Sequence, residues 1–171
     1  METNYLIELA KPNDLEQIMK VIDDARQLLK TQNSGQWQDG TPSENTIRQD
    51  ILNKAFYVLK EGIKILAVMA VLDYEKDYDQ LQSGSWQVAG SYFVIHRFAV
   101  TSSARQKGIA SKLLQFVEHL AHEKQQAAVR IDTHEKNIPM INLLKKNGYR
   151  AVGVAILEGN KVRIAFEKPI Q

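Results

Sequence analysis

Two spacings of apolar positions divide the chain into helices and strands. Four segments, beginning near residues 13, 41, 108 and 137, carry apolar residues every three to five positions, which is typical of amphipathic helices. Shorter runs rich in β-branched and aromatic residues lie between and after them, and these predict strands. The predicted strands are Tyr5–Leu9, Phe56–Lys60, Ile63–Leu72, Tyr92–Val100, Ala127–Thr133, Tyr149–Leu157 and Lys161–Glu167.

Capping residues mark where the first two helices begin. Asn13 and Glu16 have the capping-box spacing, with Asn13 as the N-cap. Thr41, Pro42 and Glu44 predict the second start, because threonine caps well and proline suits the first helical position. We expect the inward faces of these two helices to carry Leu15, Ile18, Met19, Ile22, Leu29, Ile47, Ile51 and Leu52.

Composition narrows the class of protein. A chain of 171 residues with 44% hydrophobic and 25% charged residues predicts a single soluble domain spanning 1–171. The absence of cysteine excludes disulfides, thiolate metal sites and a cysteine nucleophile. A net charge of +2 with dispersed basic residues argues against a nucleic-acid partner. Neither a transmembrane-length apolar stretch nor a signal peptide is evident, so we expect no membrane partner and a cytoplasmic location.

The segment Arg105–Ala110, Arg-Gln-Lys-Gly-Ile-Ala, lies between a predicted strand and a predicted helix. The first N–H groups of a helix lack intrahelical acceptors, and the helix dipole favours an anion there. Gly108 lets the backbone approach a ligand, while Arg105 and Lys107 add positive charge. The spacing fits neither a P-loop nor a dinucleotide-binding turn. It predicts a different phosphate site, the alternative being a plain strand-to-helix turn with surface charges.

Three segments together resemble one enzyme family. Arg105–Ala110 resembles the Gln/Arg-x-x-Gly-x-Gly/Ala loop of the GNAT superfamily of acetyl-CoA-dependent N-acetyltransferases. The run from Asn137 to Tyr149 is similar to the family's Asn-x-x-(small)-x-x-x-Tyr-x-x-x-Gly-Phe segment, and Trp37–Glu44 to a tryptophan-containing segment of one branch. The resemblance extends from about Tyr5 to Lys168. It implies an α/β (α+β) GNAT fold, with a mixed, mostly antiparallel sheet of about seven strands flanked by four helices.

The resemblance also implies a cofactor site. In the family, one strand pairs with the pantetheine arm, and a backbone amide near Phe98 would polarise the acetyl carbonyl. The loop and first helical turn would hold the pyrophosphate, and Asn137 would contact the cofactor near its thiol, although Asn137 is also explained as a plain helix cap. The implied acetyl-CoA-binding residues are Phe98, Ala99, Val100, Arg105, Gln106, Lys107, Gly108, Ile109, Ala110, Ser111 and Asn137.

Two positions depart from the family pattern. The tyrosine that often protonates the leaving thiolate corresponds to Leu144, and a strand position that can carry a base corresponds to Val94. Strand alternation would place Val94, His96, Phe98 and Val100 on one face, so His96 is the candidate base beside Phe98. The alternative is a core histidine satisfied by a neighbour. Arg97 would point the other way, as a structural ion-pair partner.

Aromatic residues in and near loops are the candidates for the acceptor site. They are Trp37, Tyr74, Trp86 and Tyr92, for which core packing is an equal alternative. His119 and His122 lack a third ligand at suitable spacing, so we expect a solvated helix face and no metal site. His134 is predicted to be a loop histidine without a partner.

These observations support one leading function and two alternatives. The leading hypothesis is acetyl transfer from acetyl-CoA to the primary amine of a small molecule or amino-acid-like acceptor, by direct attack in a ternary complex. A non-catalytic acyl-CoA-binding module and a peptide or protein N-terminal acetyltransferase are the alternatives. The oligomeric state is open, with a homodimer among the options.

Overall fold

The computed structural model describes residues 3–171 and contains four α-helices and eight β-strands in that range. The helices are α1 Leu15–Thr31, α2 Glu44–Leu52, α3 Ile109–Glu123 and α4 Ile138–Lys146. The strands are β1 Tyr5–Leu9, β2 Phe56–Glu61, β3 Lys64–Leu72, β4 Ser83–Gly84, β5 Tyr92–Val100, β6 Ala128–Thr133, β7 Arg150–Leu157 and β8 Lys161–Pro169. The mixed α/β fold is confirmed, with one strand more than predicted.

The chain divides into two compact units. The first comprises residues up to Val71 together with Arg97–Leu113, and the second comprises Leu72–His96 and Leu114–Gln171. In the first unit the strand order is β1-β2-β3, followed by the C-terminal end of β5. In the second unit the N-terminal part of β5 is followed by β6, β8, β7 and β4. The β5–β6 pair is parallel, whereas β6–β8, β7–β8, β4–β7, β1–β2 and β2–β3 are antiparallel.

The first unit buries one face of α1 and α2 against strands β2 and β3. Ile47 and Ile51 are four residues apart, so they share a face and both enter this core. Leu52 was predicted to face inward, but it is 63% exposed, because the next residue along a helix is turned by about 100°. The buried members of this core on the helices are Ile18, Val21, Ile22, Ala25, Ile47 and Ile51.

Both predicted helix starts are displaced by one or two residues. Before α1, the N-cap is Asp14 and not Asn13, and its side chain caps no N–H of α1. The carboxylate of Asp14 accepts instead from the N–H of Lys11 at 2.9 Å, before the 3-10 turn Pro12–Asp14. Before α2, the cap is Ser43, whose Oγ accepts from the N–H of Thr46 at 3.1 Å. Thr41 instead donates its hydroxyl to Asp39. For α2, Ser43 is the cap because its side chain reaches a free N–H of the first turn and that of Thr41 does not.

The unpredicted strand β4 depends on two glycines. Its two residues pair with β7, Ser83 with Val154 and Gly84 with Gly153. A Cβ added to Gly84 would lie 2.0 Å from the carbonyl oxygen of Val152, and one added to Gly153 would lie 2.1 Å from that of Ser83. Two residues are too few to show an alternation of apolar and polar positions, so β4 is defined only by its pairing with β7.

The second unit has its own core around Tyr78, Leu81, Val94, Ala155 and Ala165, against which Trp86 and Tyr92 pack. In residues 3–171, no helix has both the length and the apolar composition needed to span a membrane.

Candidate active site

The predicted phosphate loop lies in the first unit, between a 3-10 turn at Ser102–Ala104 and the start of α3. Gln106 and Gly108 have φ values of +64° and +74°, so the backbone turns sharply twice before the helix. A Cβ added at Gly108 would meet no atom within 4 Å. Glycine is therefore favoured here by conformation, and the space beside it is open. The first N–H groups of α3, those of Ile109 and Ala110, have no acceptor within the helix.

Asp24 on α1 holds this loop in place. Its Oδ2 accepts a hydrogen bond from the backbone N–H of Ser102 at 2.6 Å. The guanidinium of Arg105 lies 3.4 Å from the carbonyl oxygen of Asp24 and 3.9 Å from its carboxylate. Arg105 is thus drawn toward α1, whereas Gln106, Lys107 and Gly108 are exposed. Sequence reasoning missed Asp24, because an acidic residue on a distant helix carries no local signal.

Strand β5 has an irregular residue in its middle. Arg97 has φ of +54°, a left-handed conformation that interrupts the regular alternation of side chains. The regular alternation that predicted one shared face for Val94, His96, Phe98 and Val100 is interrupted at Arg97, and that shared face stays a prediction. In the first unit, Ala99 enters the core while Phe98 and Val100 are half-buried.

Arg97 is held by an ion pair, as the sequence predicted. Its Nε lies 3.0 Å from Oδ2 of Asp50, a buried residue of α2. A non-glycine residue at positive φ is costly, by about 1 kcal/mol, and persists only where its surroundings fix it. The pair therefore stabilises the irregular conformation just before the backbone of Phe98, Ala99 and Val100.

We expect Asp50→Asn to lower the free energy of unfolding by about 2 kcal/mol, because Arg97 then loses a largely buried counter-charge. Acetyl-CoA affinity should fall as the β5 conformation loosens. Urea denaturation and calorimetric titration measure these two effects. The matched control is Glu44→Gln on the same helix, whose exposed pair with Arg48 is worth less than about 1 kcal/mol. Equal stability of the two variants would contradict the prediction.

In the second unit, His96 is paired with a carboxylate. Its Nε2 lies 2.8 Å from Oε2 of Glu75, and the two side chains are 16% and 20% exposed. The other oxygen of Glu75 accepts the N–H of Asp77 at 3.1 Å and so caps the 3-10 turn Lys76–Tyr78. His96 is satisfied by a neighbour, as the structural alternative predicted. Its pairing with a half-buried carboxylate is also the arrangement that orients a catalytic histidine.

A second carboxylate lies beneath this pair. The hydroxyl of Tyr78 donates to Oδ2 of Asp132 at 2.6 Å, and Nε of Arg163 lies 3.9 Å from Oδ1. Burial raises the pKa of Asp132, although the nearby charge of His96, the hydrogen bond from Tyr78 and the charge of Arg163 oppose that rise. Burial and Asp132 raise the pKa of Tyr78 well above its usual value. Tyr78 therefore remains a neutral donor.

In the second unit, Arg130 lies against the aromatic rings of Trp86 and Tyr92. Its Nε lies 2.9 Å from Oε2 of Glu167. Its guanidinium carbon lies 4.2 Å from the ring centroid of Trp86 and 4.1 Å from that of Tyr92. These two predicted acceptor-lining residues therefore pack against an internal cation, and their role toward an acceptor stays a prediction.

Comparison with known proteins identifies the family. The model of the Acetyltransferase (GNAT) family matches residues 22–149. The chain belongs to the GNAT family. It is similar to a GNAT-family acetyltransferase from Streptococcus agalactiae 2603, with 36% sequence identity, a TM-score of 0.88, and coverage of 98% of this chain and 96% of that one.

More distant solved structures share the GNAT fold alone. The PaiA N-acetyltransferase of Thermoplasma acidophilum, solved with coenzyme A, has 14% identity and a TM-score of 0.75, with 97% of this chain and 99% of that one covered. The ribosomal-protein-S18-alanine N-acetyltransferase of Escherichia coli also has 14% identity, with a TM-score of 0.70 and coverage of 98% and 95%. A comparison with curated protein sequences found no match. The GNAT enzyme described here is thus an N-acetyltransferase, an acyltransferase by reaction class.

Apolar side chains occupy the two positions at which the chain is predicted to depart from the GNAT pattern. Leu144 and Val94 are both fully buried. Neither side chain can donate or accept a proton. Asn137 caps α4, its Oδ1 accepting from the N–H of Met140 at 3.4 Å. That agrees with the plain helix-cap alternative, and its contact with the cofactor stays a prediction.

The remaining aromatic candidates are in different surroundings. Trp37 is partly buried and packs against the core of the first unit. Tyr74 is 55% exposed and donates its hydroxyl to Asp79 at 2.6 Å, a hydrogen bond that raises the pKa of Tyr74 to about 12. Their contact with an acceptor stays a prediction.

His134 and His119 each contact a residue close by in the sequence. His134 was expected to have no partner, but its Nδ1 accepts the N–H of Lys136 at 3.1 Å. Burial lowers the pKa of His134, and the positive charge of Arg163 adds to the effect. His119 lies 3.3 Å from Glu123 on the surface of α3. Within residues 3–171, no three His, Asp or Glu side chains form a group that could hold a metal ion.

The polar residues around His96 were missed by sequence reasoning, although a signal existed. Arg130 and Asp132 alternate within β6, and Arg163 and Glu167 lie four apart on β8. Charged residues at even spacing in otherwise apolar strands lie on one face of the sheet. Combined with the β6–β8 pairing, this pattern would have indicated a buried polar face. Glu75 had no such signal, because it lies in an irregular connection.

Proposed function

We propose that this GNAT enzyme transfers an acetyl group from acetyl-CoA to the primary amine of a small-molecule or amino-acid-like acceptor, by direct attack in a ternary complex. The observation that carries the proposal is the partly exposed Glu75–His96 pair, with 2.8 Å between Nε2 and Oε2, in a chain that belongs to the GNAT family. A chain without cysteine also favours direct attack over a thioester-linked enzyme intermediate.

The open loop of the first unit is the proposed site for the anionic part of acetyl-CoA. Positive φ at Gln106 and Gly108, exposed Lys107 and the N–H groups that begin α3 are suited to a pyrophosphate. We propose that Arg105–Ala110 and Ser111 hold it, that Phe98–Val100 binds the pantetheine arm, and that Asn137 approaches the thiol end. The coenzyme A bound to the Thermoplasma enzyme supports this use of the fold.

His96 is proposed to prepare the amine. An alkylamine with a pKa near ~10.4 is mostly protonated at neutral pH and must lose a proton before it can attack. If Nε2–H donates to Glu75, the tautomer leaves the lone pair of His96 on Nδ1, which can take that proton. The carboxylate of Glu75 then stabilises the imidazolium that forms.

Once the amine is neutral, acyl transfer can begin. Its nitrogen attacks the thioester carbonyl, and the backbone N–H near Phe98 is proposed to stabilise the oxyanion. Collapse of the tetrahedral intermediate re-forms the carbonyl, breaks the carbon–sulfur bond and releases the thiolate of coenzyme A, and the nitrogen loses its extra proton to the departing thiolate or to water. A thiol with a pKa near ~8.5 is a good leaving group, so a buried Leu144 in place of tyrosine does not block the step.

The family assignment favours turnover over the alternative of a non-catalytic acyl-CoA-binding module. That alternative rests only on the apolar residues Leu144 and Val94, which cannot act as acid or base. Release of thiol from acetyl-CoA distinguishes the two, and the absence of cysteine removes protein background from a thiol-reactive dye.

We expect micromolar binding of acetyl-CoA by calorimetry, and amine-dependent thiol release with at least one member of a panel of alkyl diamines, amino acids and short peptides with free N-termini. Turnover of peptides alone would favour the N-terminal acetyltransferase alternative. Binding without turnover would favour the module, and no binding would overturn both functions.

A further inference from the structure

We infer that Arg130 is a positioning residue for the Glu75–His96 pair, because its guanidinium fixes the two aromatic side chains that support the turn carrying Glu75. The inference rests on the proposed role of His96 for its consequence in catalysis. Its structural part concerns only the second unit and is testable without substrate.

The turn Lys76–Tyr78, capped by Glu75, depends on side chains from outside it. The indole Nε1–H of Trp86 donates to the carbonyl oxygen of Tyr78 at 2.7 Å. The hydroxyl of Tyr92 lies 3.3 Å from the backbone nitrogen of Glu75 and 3.4 Å from its carbonyl oxygen. Trp86 and Tyr92 therefore hold the two ends of the turn, and the position of the Glu75 carboxylate depends on both.

Arg130 lies against both of these supports. Its guanidinium carbon is 4.2 Å from the ring centroid of Trp86 and 4.1 Å from that of Tyr92, within the range of a cation–π contact. A planar guanidinium can stack on aromatic rings while its N–H groups bond in the plane. A lysine at the same position would keep the charge and lose this geometry.

Hydrogen bonds in the plane of the Arg130 guanidinium fix its position. Nε donates to Oε2 of Glu167 at 2.9 Å, and a terminal nitrogen donates to the carbonyl oxygen of Val88 at 2.9 Å. The other oxygen of Glu167 accepts the N–H groups of Gln87 at 2.8 Å and Val88 at 3.2 Å. Arg130 and Glu167 thus fasten the segment that carries Trp86 onto the sheet.

The test compares Arg130→Lys, Arg130→Ala and Tyr92→Phe with Lys60→Met. Lys60 is a half-buried cation of the first unit, 14% exposed and paired with Glu8 and Asp14, so its loss tests general destabilisation. Tyr92→Phe removes only the hydroxyl that contacts Glu75. If Arg130→Ala does not fold, this variant still tests whether the support of the turn affects turnover.

We expect Arg130→Lys to lower kcat by about tenfold or more, with KM for acetyl-CoA changed less than about twofold, and Tyr92→Phe to have a smaller effect of the same kind. Millimolar guanidinium should restore part of the activity of Arg130→Ala. Lys60→Met should keep the wild-type kcat. An unchanged kcat in folded Arg130→Lys, or an equal loss in Lys60→Met, would overturn the inference.

Ring 15N NMR of His96 supplies a readout that does not need turnover. In ligand-free wild type we expect the Nε2–H tautomer set by Glu75, and a mixed population in Arg130→Lys. With Trp37 changed to Phe, emission from Trp86 should also shift in Arg130→Lys. Should wild type release no coenzyme A with any amine, the proposed function fails, yet the tautomer spectra still decide the role of Arg130. Identical spectra in wild type and variant would overturn it.

Discussion

Gly108→Glu is expected to weaken acetyl-CoA binding by about 100-fold or more while the protein remains folded. Two effects act at this position. The backbone at Gly108 has φ of +74°, which costs a side-chain-bearing residue about 1 kcal/mol. A carboxylate also enters the proposed pyrophosphate site, and like charges about 5 Å apart repel by about 3 kcal/mol at an effective dielectric constant near 20. Together these exceed the ~2.7 kcal/mol that a 100-fold loss requires.

Gly108→Ala separates the two effects. An added Cβ meets no atom within 4 Å, so alanine introduces conformational strain without a clash and without charge. We expect it to weaken binding by no more than about tenfold. Calorimetric titration of acetyl-CoA into both variants, with urea denaturation as the check on folding, measures the difference. Should the glutamate variant bind as tightly as the alanine variant, Arg105–Ala110 would not be the anion site.

Elements with strong local patterns were predicted to the residue. Tyr5–Leu9 and Tyr92–Val100 begin and end where the sequence analysis placed them, because each is a dense apolar run between polar residues. β4 was not found, because its two residues are a strand only by pairing with β7. Leu52 was misassigned because apolar character alone does not fix the face of a residue at the end of a helix.

In the candidate site, too, some features could be predicted from the sequence and others could not. The position of the loop Arg105–Ala110 could be predicted from sequence, because a strand, a glycine turn and a helix start are contiguous in the chain, and its phosphate binding stays a proposal. The partner of His96 could not be found, since Glu75 is 21 residues away in an irregular connection. The left-handed conformation of Arg97 could not be predicted either, because Arg97 is paired with Asp50 of a separate helix. Local rules fail where a tertiary ion pair sets the backbone conformation.

The largest effect on turnover is expected from His96→Ala. General-base catalysis contributes about 10²–10⁴ in rate, so we expect kcat with an alkylamine to fall by at least about 100-fold at neutral pH. Binding of acetyl-CoA should change little, because the proposed phosphate loop lies outside β5 and the pantetheine arm is proposed to bind Phe98–Val100 and not the His96 side chain. In the variant, the rate should rise steadily with pH, following the fraction of acceptor that is already neutral, since no enzyme group remains to deprotonate it. Added imidazole should restore part of the lost rate.

Two further variants decide whether that loss is specific to a paired histidine. Glu75→Gln keeps a side chain of similar size but removes the charge that orients His96 and stabilises its protonated form, so we expect a smaller loss of kcat than for His96→Ala. His134→Ala is the matched control, a half-buried histidine at the end of β6 that accepts only a local backbone N–H from Lys136. Its kcat and pH profile should match the wild type. If His96→Ala kept the wild-type rate and pH profile, His96 would be only a structural partner of Glu75. Direct attack would then depend on binding the small neutral fraction of the amine, because neither Leu144 nor Val94 can replace the base.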